Sequence, residues 1–273
     1  MLNGLDLFSG GGWLTEALAD WVRPIAYCEN DAFAQRVLLS RIFRNEIPKA
    51  PIWDDVRTLR GGMLPTQIEI VYGGFPCQGH SLAGSRKRMA DKRSQLFWEI
   101  VRLVEETKAP FVFLENVWPG IRGSIPTIRA ALESLGYKCR DGHIAASDVG
   151  LPHRRERWFL LAYSVREGRR LQPRRGLEAS GAKEVHTIVD VAQGPDTNPA
   201  ARESRAVGVG KRTQSEQPAL AGALERNDWN AIAALFCGMD HGKPYRGKRL
   251  GVLGNSVPWL QYRKAFEILA GLT

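Results

Sequence analysis

Cysteine is scarce in this chain. There are four in 273 residues, Cys28, Cys77, Cys139 and Cys237, and no two of them form a CxxC pair. That spacing argues against a zinc site and against a disulfide framework. No metal is expected, and a reducing cytoplasm is. Long apolar runs are missing as well: none approaches the ~18 residues that a membrane span needs, so no membrane association is expected. The N-terminus lacks the charged segment, apolar stretch and small-residue cleavage site of a secretory signal. Acidic residues are outnumbered, 29 Asp and Glu against 38 Lys and Arg, for a net charge of +9. A polyanionic partner fits that excess, and nucleic acid is the commonest one. A merely basic soluble enzyme fits it too.

What is present alternates apolar runs with amphipathic stretches. Leu2 to Phe8 reads as a strand, Trp13 to Trp21 as a helix and Pro24 to Glu29 as a strand. Ala32 to Phe43 has apolar residues at helical spacing (Phe33, Val37, Leu38, Ile42) and reads as a helix. Ile68 to Tyr72, Phe111 to Leu114 and Trp158 to Tyr163 are further strands. Gln95 to Glu106 and Ile125 to Leu135 are helices, the second stopped by Gly136. This alternation predicts an α/β fold, with a parallel sheet covered by helices on both faces. The rhythm breaks after Tyr163. From Ser164 to about Gln217 the chain is rich in Gly, Ala, Pro, Arg and Ser, with Val185, Ile188 and Val189 its best apolar cluster. It reads as a small inserted domain or a long loop with a thin core. Helical pattern returns from about Ala219, and a last helix follows Pro258.

Two places carry chemistry. Leu5-Asp6-Leu7-Phe8-Ser9-Gly10-Gly11-Gly12 runs from a strand into a helix, where glycines allow a tight turn and close approach of a ligand. The spacing is not GxGxxG and no Lys-Ser/Thr follows, which weakens a dinucleotide or triphosphate reading. Glu29, at the end of the next strand, can accept bonds from two ribose hydroxyls. Asp54-Asp55-Val56 offers a carboxylate to an adenine amino group. Any one of these acids could be a solvated loop charge; together they favour an adenosine-bearing ligand.

The other place is Gly73-Gly74-Phe75-Pro76-Cys77-Gln78-Gly79-His80-Ser81. It sets one thiol where a buried strand opens into a polar loop. A cysteine there is poised as a nucleophile; the alternative is an inert buried thiol. The loop continues through Arg86, Lys87, Arg88, Lys92 and Arg93, a set suited to phosphates or simply to solvent.

Taken in order, these segments resemble the cytosine-C5 DNA methyltransferases of the bacterial or phage type. Asp6 to Gly12 is similar to the family's first S-adenosylmethionine loop. Glu29 and Asp55-Val56 stand where the family holds ribose and adenine. Phe75-Pro76-Cys77-Gln78 matches the nucleophile motif and Glu115-Asn116-Val117 the Glu-Asn-Val motif. Pro152-His153-Arg154-Arg155-Glu156-Arg157 resembles the Gln-x-Arg-x-Arg motif. Gly254-Asn255-Ser256-Val257-Pro258 matches the last motif, which returns to the cofactor. Trp13 departs from the pattern, standing where the first loop has its last glycine. His153 stands where glutamine is usual.

The resemblance implies a Rossmann-like S-adenosylmethionine-dependent methyltransferase fold with a small inserted target-recognition region. Residues 1–163 would form the first part of the catalytic domain. Residues 164–226 would be the variable recognition region, and 227–273 the terminal motifs that complete the catalytic domain. Cys77 would add to carbon 6 of a flipped cytosine, Glu115 would hydrogen-bond its N3 and 4-amino group, and Arg155 would contact the base and favour the thiolate. Phe8 would stack on or edge the adenine of S-adenosylmethionine, and Gly10 and Gly12 would allow its close approach. Glu29 would take its ribose, Asp55 and Val56 its adenine, and Asn255 with Val257 its amino-acid end. Ser81 would sit near the position the base vacates, Arg93 on a phosphate, and Arg157 in a structural or phosphate-facing role. The implied partner is double-stranded DNA, met by a monomer in the cytoplasm of a bacterial or phage-infected cell, with a cognate restriction endonuclease as companion. A tRNA cytosine-C5 methyltransferase is the alternative within the same chemistry, but its Cys-Phe-Thr signature is not visible. A catalytically silent DNA-binding relic is the alternative outside it. A nicotinamide oxidoreductase fits the alternation but explains neither Pro-Cys-Gln nor Glu-Asn-Val.

Overall fold

The computed structural model describes residues 1–76, 95–165 and 257–272. These belong to one of the two compact units into which the chain divides, residues 1–192 with 256–273. Cys77, Ser81, Arg93 and Asn255, the loop from Gly79 to Arg93 and nearly all of the 164–226 segment lie outside the described residues.

The described strands are β1 (Leu2–Leu7), β2 (Val22–Cys28), β3 (Ile52–Trp53), β4 (Ile70–Gly74), β5 (Phe111–Val117), β6 (Tyr137–Ala145) and β7 (Glu156–Ser164). They form a seven-stranded sheet in the order β3-β2-β1-β4-β5-β7-β6. The helices among the described residues are α1 (Trp13–Ala17), α2 (Ala32–Phe43), α3 (Gln95–Thr107), α4 (Ile125–Ser134) and α5 (Trp259–Ala270). No helix among the described residues is long and apolar enough to cross a membrane.

Period-two alternation decides which residues meet which helices. Leu5, Leu7, Val71, Val112, Leu114, Trp158 and Leu160 go to one face, with Phe97, Ile100, Leu103 and Val104 of α3 and Ile128 and Leu132 of α4. Ile70, Tyr72, Phe111, Phe113, Phe159 and Leu161 go to the other, with Leu14 of α1 and Tyr262, Ala265, Phe266 and Leu269 of α5. Because neighbours in a strand alternate, the in-between residues Asp6 and Glu115 share the second face with Tyr72 and Tyr262.

Local chemistry sets the boundaries. Asp31 caps α2 by accepting from the backbone N–H groups of Phe33 and Ala34 at 2.9 and 2.8 Å. Pro126 lies in the first turn of α4, where its missing N–H costs nothing. Pro24 lies inside β2, where it has no N–H to give. The β1–β2 register shifts beside it, Gly4 pairing with Pro24 and Leu5 with Ala26.

Two expectations are corrected, and one strand is added to them. The sheet is not wholly parallel: β7 runs antiparallel to both β5 and β6. A short return through Ala146 to Arg155 feeds β7 back between its neighbours, and only an antiparallel strand can be reached without a long crossover. Strand β6 itself was not foreseen, because Lys138, Arg140 and Asp141 interrupt its apolar pattern. Finally, α1 ends at Ala17 rather than Trp21, since the chain turns at Leu18 to start β2 at Val22.

Candidate active site

The C-terminal ends of β1, β2, β4 and β5 lie along one edge, and the candidate residues cluster there. After β1 the chain turns through Phe8 and Gly10, both with φ 55°, and Gly12 with φ 77°. Gly12 leaves no choice of residue: besides its left-handed φ, an added Cβ would stand 2.8 Å from Ile47 Cδ1. Above Gly10, by contrast, a Cβ would meet nothing within 4 Å. The loop therefore offers open space on the side where a ligand would approach. Ser9 N donates to Cys28 O at 3.1 Å and Cys28 N to Ser9 Oγ at 3.2 Å, which ties the loop to β2.

Glu29 stands beyond β2, and its carboxylate accepts from Gly10 N at 2.7 Å and Asp31 N at 2.8 Å. One carboxylate thus fixes the glycine turn and the entry to α2. Asp55 is differently engaged. Arg57 Nε and Nη2 donate to it at 2.9 and 2.7 Å, and that guanidinium holds the Asp55 carboxyl below its usual range. Val56 is buried, and its carbonyl accepts from Arg102 Nη2 at 2.9 Å. Phe8 is partly buried against the core. The open space over Gly10, the acids at successive strand ends and the half-covered ring of Phe8 fit an adenosine-bearing cofactor such as S-adenosylmethionine.

Trp13 has a structural explanation. Its indole lies under the Arg41 guanidinium, 4.2 Å from Cζ to the ring centroid. Arg41 is buried and donates to Gly11 O and Glu16 Oε2, each at 2.7 Å. The residue that replaces a glycine therefore joins a brace that holds the turn from behind.

Beneath the loop, Asp6 Oδ2 accepts from Thr15 Oγ1 at 2.6 Å, and Thr15 Oγ1 lies 2.8 Å from the Tyr72 hydroxyl. Burial pushes the Asp6 carboxyl up to about 7, with the Thr15 bond pulling the other way. Asp6 is then a polar anchor between β1, α1 and β4.

The second centre is on β5. Glu115 lies within the strand and not just beyond it, paired with Gly74 of β4 and Phe159 of β7. Its Oε1 is 2.8 Å from Arg157 Nε. Its Oε2 stands 2.5 Å from where a Cβ on Gly74 would be, so only glycine leaves room for the carboxylate. Burial pushes Glu115 up to about 7, while Arg157 and Arg155 draw it down. Both protonation states are accessible near neutrality, which suits a group that must give and retake a proton. Asn116 faces the other way, 1% exposed, and its Nδ2 donates to Phe75 O at 2.9 Å. That bond pins the backbone two residues before Cys77.

Arg157 is buried beside Glu115, and its Nη1 donates to Glu156 O at 2.9 Å. Burial and the neighbouring Arg157 push the Arg155 guanidinium down to about 10. His153 is also pushed down, by burial and then by the two arginines, which favours the uncharged imidazole in the glutamine place. Of the described cysteines, Cys28 and Cys139 are both pushed up to about 12 by burial and are unsuited to nucleophilic work. Val257 is buried two residues before α5.

The residues that sequence reasoning missed are Gly74, Arg41, Tyr72, Gln261 and Tyr262. Gly74 had a signal, lying just before Phe-Pro-Cys. A buried glutamine on α5 had none.

A sequence profile of the family described as C-5 cytosine-specific DNA methylase matches residues 2–235. The chain is 33% identical over 159 residues to the type II methyltransferase M.CviJI of Paramecium bursaria Chlorella virus IL3A, covering 58% of this chain and 42% of the viral protein. It is 30% identical over 167 residues to the type II methyltransferase M.HhaI of Haemophilus parahaemolyticus, covering 59% and 49% respectively. It thus spans about half the length, or less, of these curated relatives. The crystal structure of the S. pombe Dnmt2 methyltransferase matches with a TM-score of 0.50 at 23% identity, over 62% of this chain and 53% of that one. At that identity the likeness shows a shared fold.

Proposed function

Because the chain belongs to the C-5 cytosine-specific DNA methylase family, we propose that it is a DNA (cytosine-5)-methyltransferase using S-adenosylmethionine. The observation that carries this reading is the buried Glu115–Arg157 pair at the end of β5. It adjoins the strand from which Phe75-Pro76-Cys77 departs, and Asn116 ties the two together.

Phe8, Gly10, Gly12, Glu29, Asp55 and Val56, with Asn255 and Val257, would hold the cofactor, which supplies an electrophilic methyl group on its sulfonium when bound. The protein's own residues prepare the base. Carbon 5 of cytosine is a poor nucleophile until the Cys77 thiolate adds to carbon 6 and breaks the ring's aromaticity. The displaced electron pair develops negative charge toward N3, where protonated Glu115 donates a hydrogen bond. Arg157 fixes the carboxyl, and Arg155 adds positive charge on the same side. Once carbon 5 carries the methyl group, its proton passes to a base, water being sufficient, and the carbon–sulfur bond breaks to return the Cys77 thiolate.

The target base must leave the duplex to reach this edge. Ser81 and Arg93 would support the opened DNA, and residues 164–226 would choose the sequence, with 227–273 completing the catalytic domain. We place the protein as a monomer on double-stranded DNA in a bacterial or phage-infected cytoplasm. The type II methyltransferase names of its relatives support a restriction–modification setting with a cognate endonuclease.

Bisulfite sequencing of DNA from cells expressing the chain tests the reading. Methylcytosine in a defined context is expected, and its absence in Cys77→Ser. Unmodified DNA from cells holding soluble wild-type protein would overturn the activity. Marks persisting with Cys77→Ser would overturn the nucleophile.

A further inference from the structure

Helix α5 meets the surroundings of Glu115 and Arg155 at two successive residues. Tyr262 brings its hydroxyl to 3.9 Å from the point over Gly74 where a Cβ would be, and Glu115 Oε2 stands 2.5 Å from that same point. Gln261 is fully buried, and its Nε2 donates to Ile144 O at 2.6 Å and to Arg155 O at 2.9 Å. Both partners are carbonyl oxygens, which accept only, so the amide must present its nitrogen to them. Its Oε1 is buried with no hydrogen-bond partner among the described residues. The side chain is thus placed for its two N–H groups.

Burying an amide is costly unless its bonds are made, and both bonds that this one makes go to the β6–β7 return. What the glutamine adds is a clamp. Ile144 is near the end of β6 and Arg155 just before β7, so one side chain staples the two strands across their return. Ala146 N reinforces it, donating to Arg155 O at 3.0 Å. Arg155 is thereby held at its own carbonyl, and Arg157 follows two residues later on the same strand.

We propose that Gln261 is a positioning residue for methyl transfer, holding Arg155 and Arg157 in line with Glu115. The proposal rests on the reading of Glu115 and Arg155 as base-side residues. Its test compares purified wild type with Gln261→Met, which keeps the volume and removes both N–H groups. Misplacing Arg155 by a fraction of an ångström is expected to lower kcat by about tenfold or more, with KM for S-adenosylmethionine within about twofold of wild type. An unchanged kcat, or a loss carried by KM with kcat intact, would overturn the proposal. If Gln261→Met does not fold, Gln261→His replaces it: its ring N–H can keep one carbonyl bond, and an intermediate loss of kcat is expected. Failure of both to fold would assign the amide to stability alone and overturn the proposal. A wild type without activity would instead refute the methyltransferase reading, so the two failures are distinct.

Discussion

Glu115 and Arg157 are diagonal neighbours on strands of opposite direction, 2.8 Å apart with side chains 9% and 10% exposed. Neither charge has much water to fall back on. Arg157→Met is expected to destabilise the protein by about 3 kcal/mol or more at pH 8, because it leaves a buried carboxylate unpaired. The loss should shrink at pH 5, where Glu115, already near 7, is protonated with or without its partner. Urea unfolding of both proteins at the two pH values checks this. Equal losses at both would contradict it.

Gly74→Ala puts a methyl group 2.5 Å from Glu115 Oε2. The carboxylate is a movable side-chain end, so the protein should fold, with Glu115 turned away from Arg157. Methyl transfer is expected to fall by about a hundredfold with DNA binding retained. Gly73→Ala should behave differently, since its Cβ would stand 2.1 Å from the backbone oxygen of Leu7. Little soluble protein is expected. Parallel expression, gel shift and methylation assays distinguish the two.

Burial raises the Asp6 carboxyl from an ordinary 3.8 to about 7. The folded state therefore binds this proton more tightly than the unfolded chain does. That stabilisation is fully present below the unfolded value and is lost as pH rises through the folded one. Asp6→Asn has no proton to lose. Relative to this variant, wild type should lose stability between about pH 4 and pH 7, by an amount on the order of a few kcal/mol. Thermal melts across that range provide the measurement, and parallel curves would count against the assignment.

Arg57 occupies the carboxylate that would receive the adenine amine. The pair is largely solvent-exposed, with Arg57 67% and Asp55 24% accessible, and such pairs are worth at most about 1 kcal/mol. Arg57→Ala should therefore tighten S-adenosylmethionine binding modestly, by no more than about fivefold. Asp55→Ala should weaken it. Calorimetric titration of the cofactor into each variant decides, and weaker binding by Arg57→Ala would show that the arginine helps the cofactor instead.

Much of this molecule was legible beforehand because its signals were local. The apolar runs of β1, β4 and β5 and the capped periodicity of α2 announce themselves within a dozen residues. The ordered motifs pointed to the family that the profile match shows. Strand direction was less accessible: nothing in Trp158 to Tyr163 reveals which way it runs, and β6 hides its pairing edge behind Lys138 and Arg140. The candidate site divided in the same manner. Glu115 could be singled out from Asn116 and Val117 beside it. Gln261 could not, because a polar residue on an amphipathic helix normally faces solvent, and only the packed fold shows that this one does not.

The reversed course of β7 also acts as a safeguard against misassembly. Were it to slip by one residue against β5, Arg157 would cross to the opposite face and leave Glu115 stranded. The same slip would carry the Trp158 indole away from Asp141 Oδ2, which it now meets at 2.9 Å. Wrong alignments would thus cost Glu115 its ion pair and leave Asp141 with Arg129 but without the indole, so chains that mature at all should mature with their reactive edge assembled.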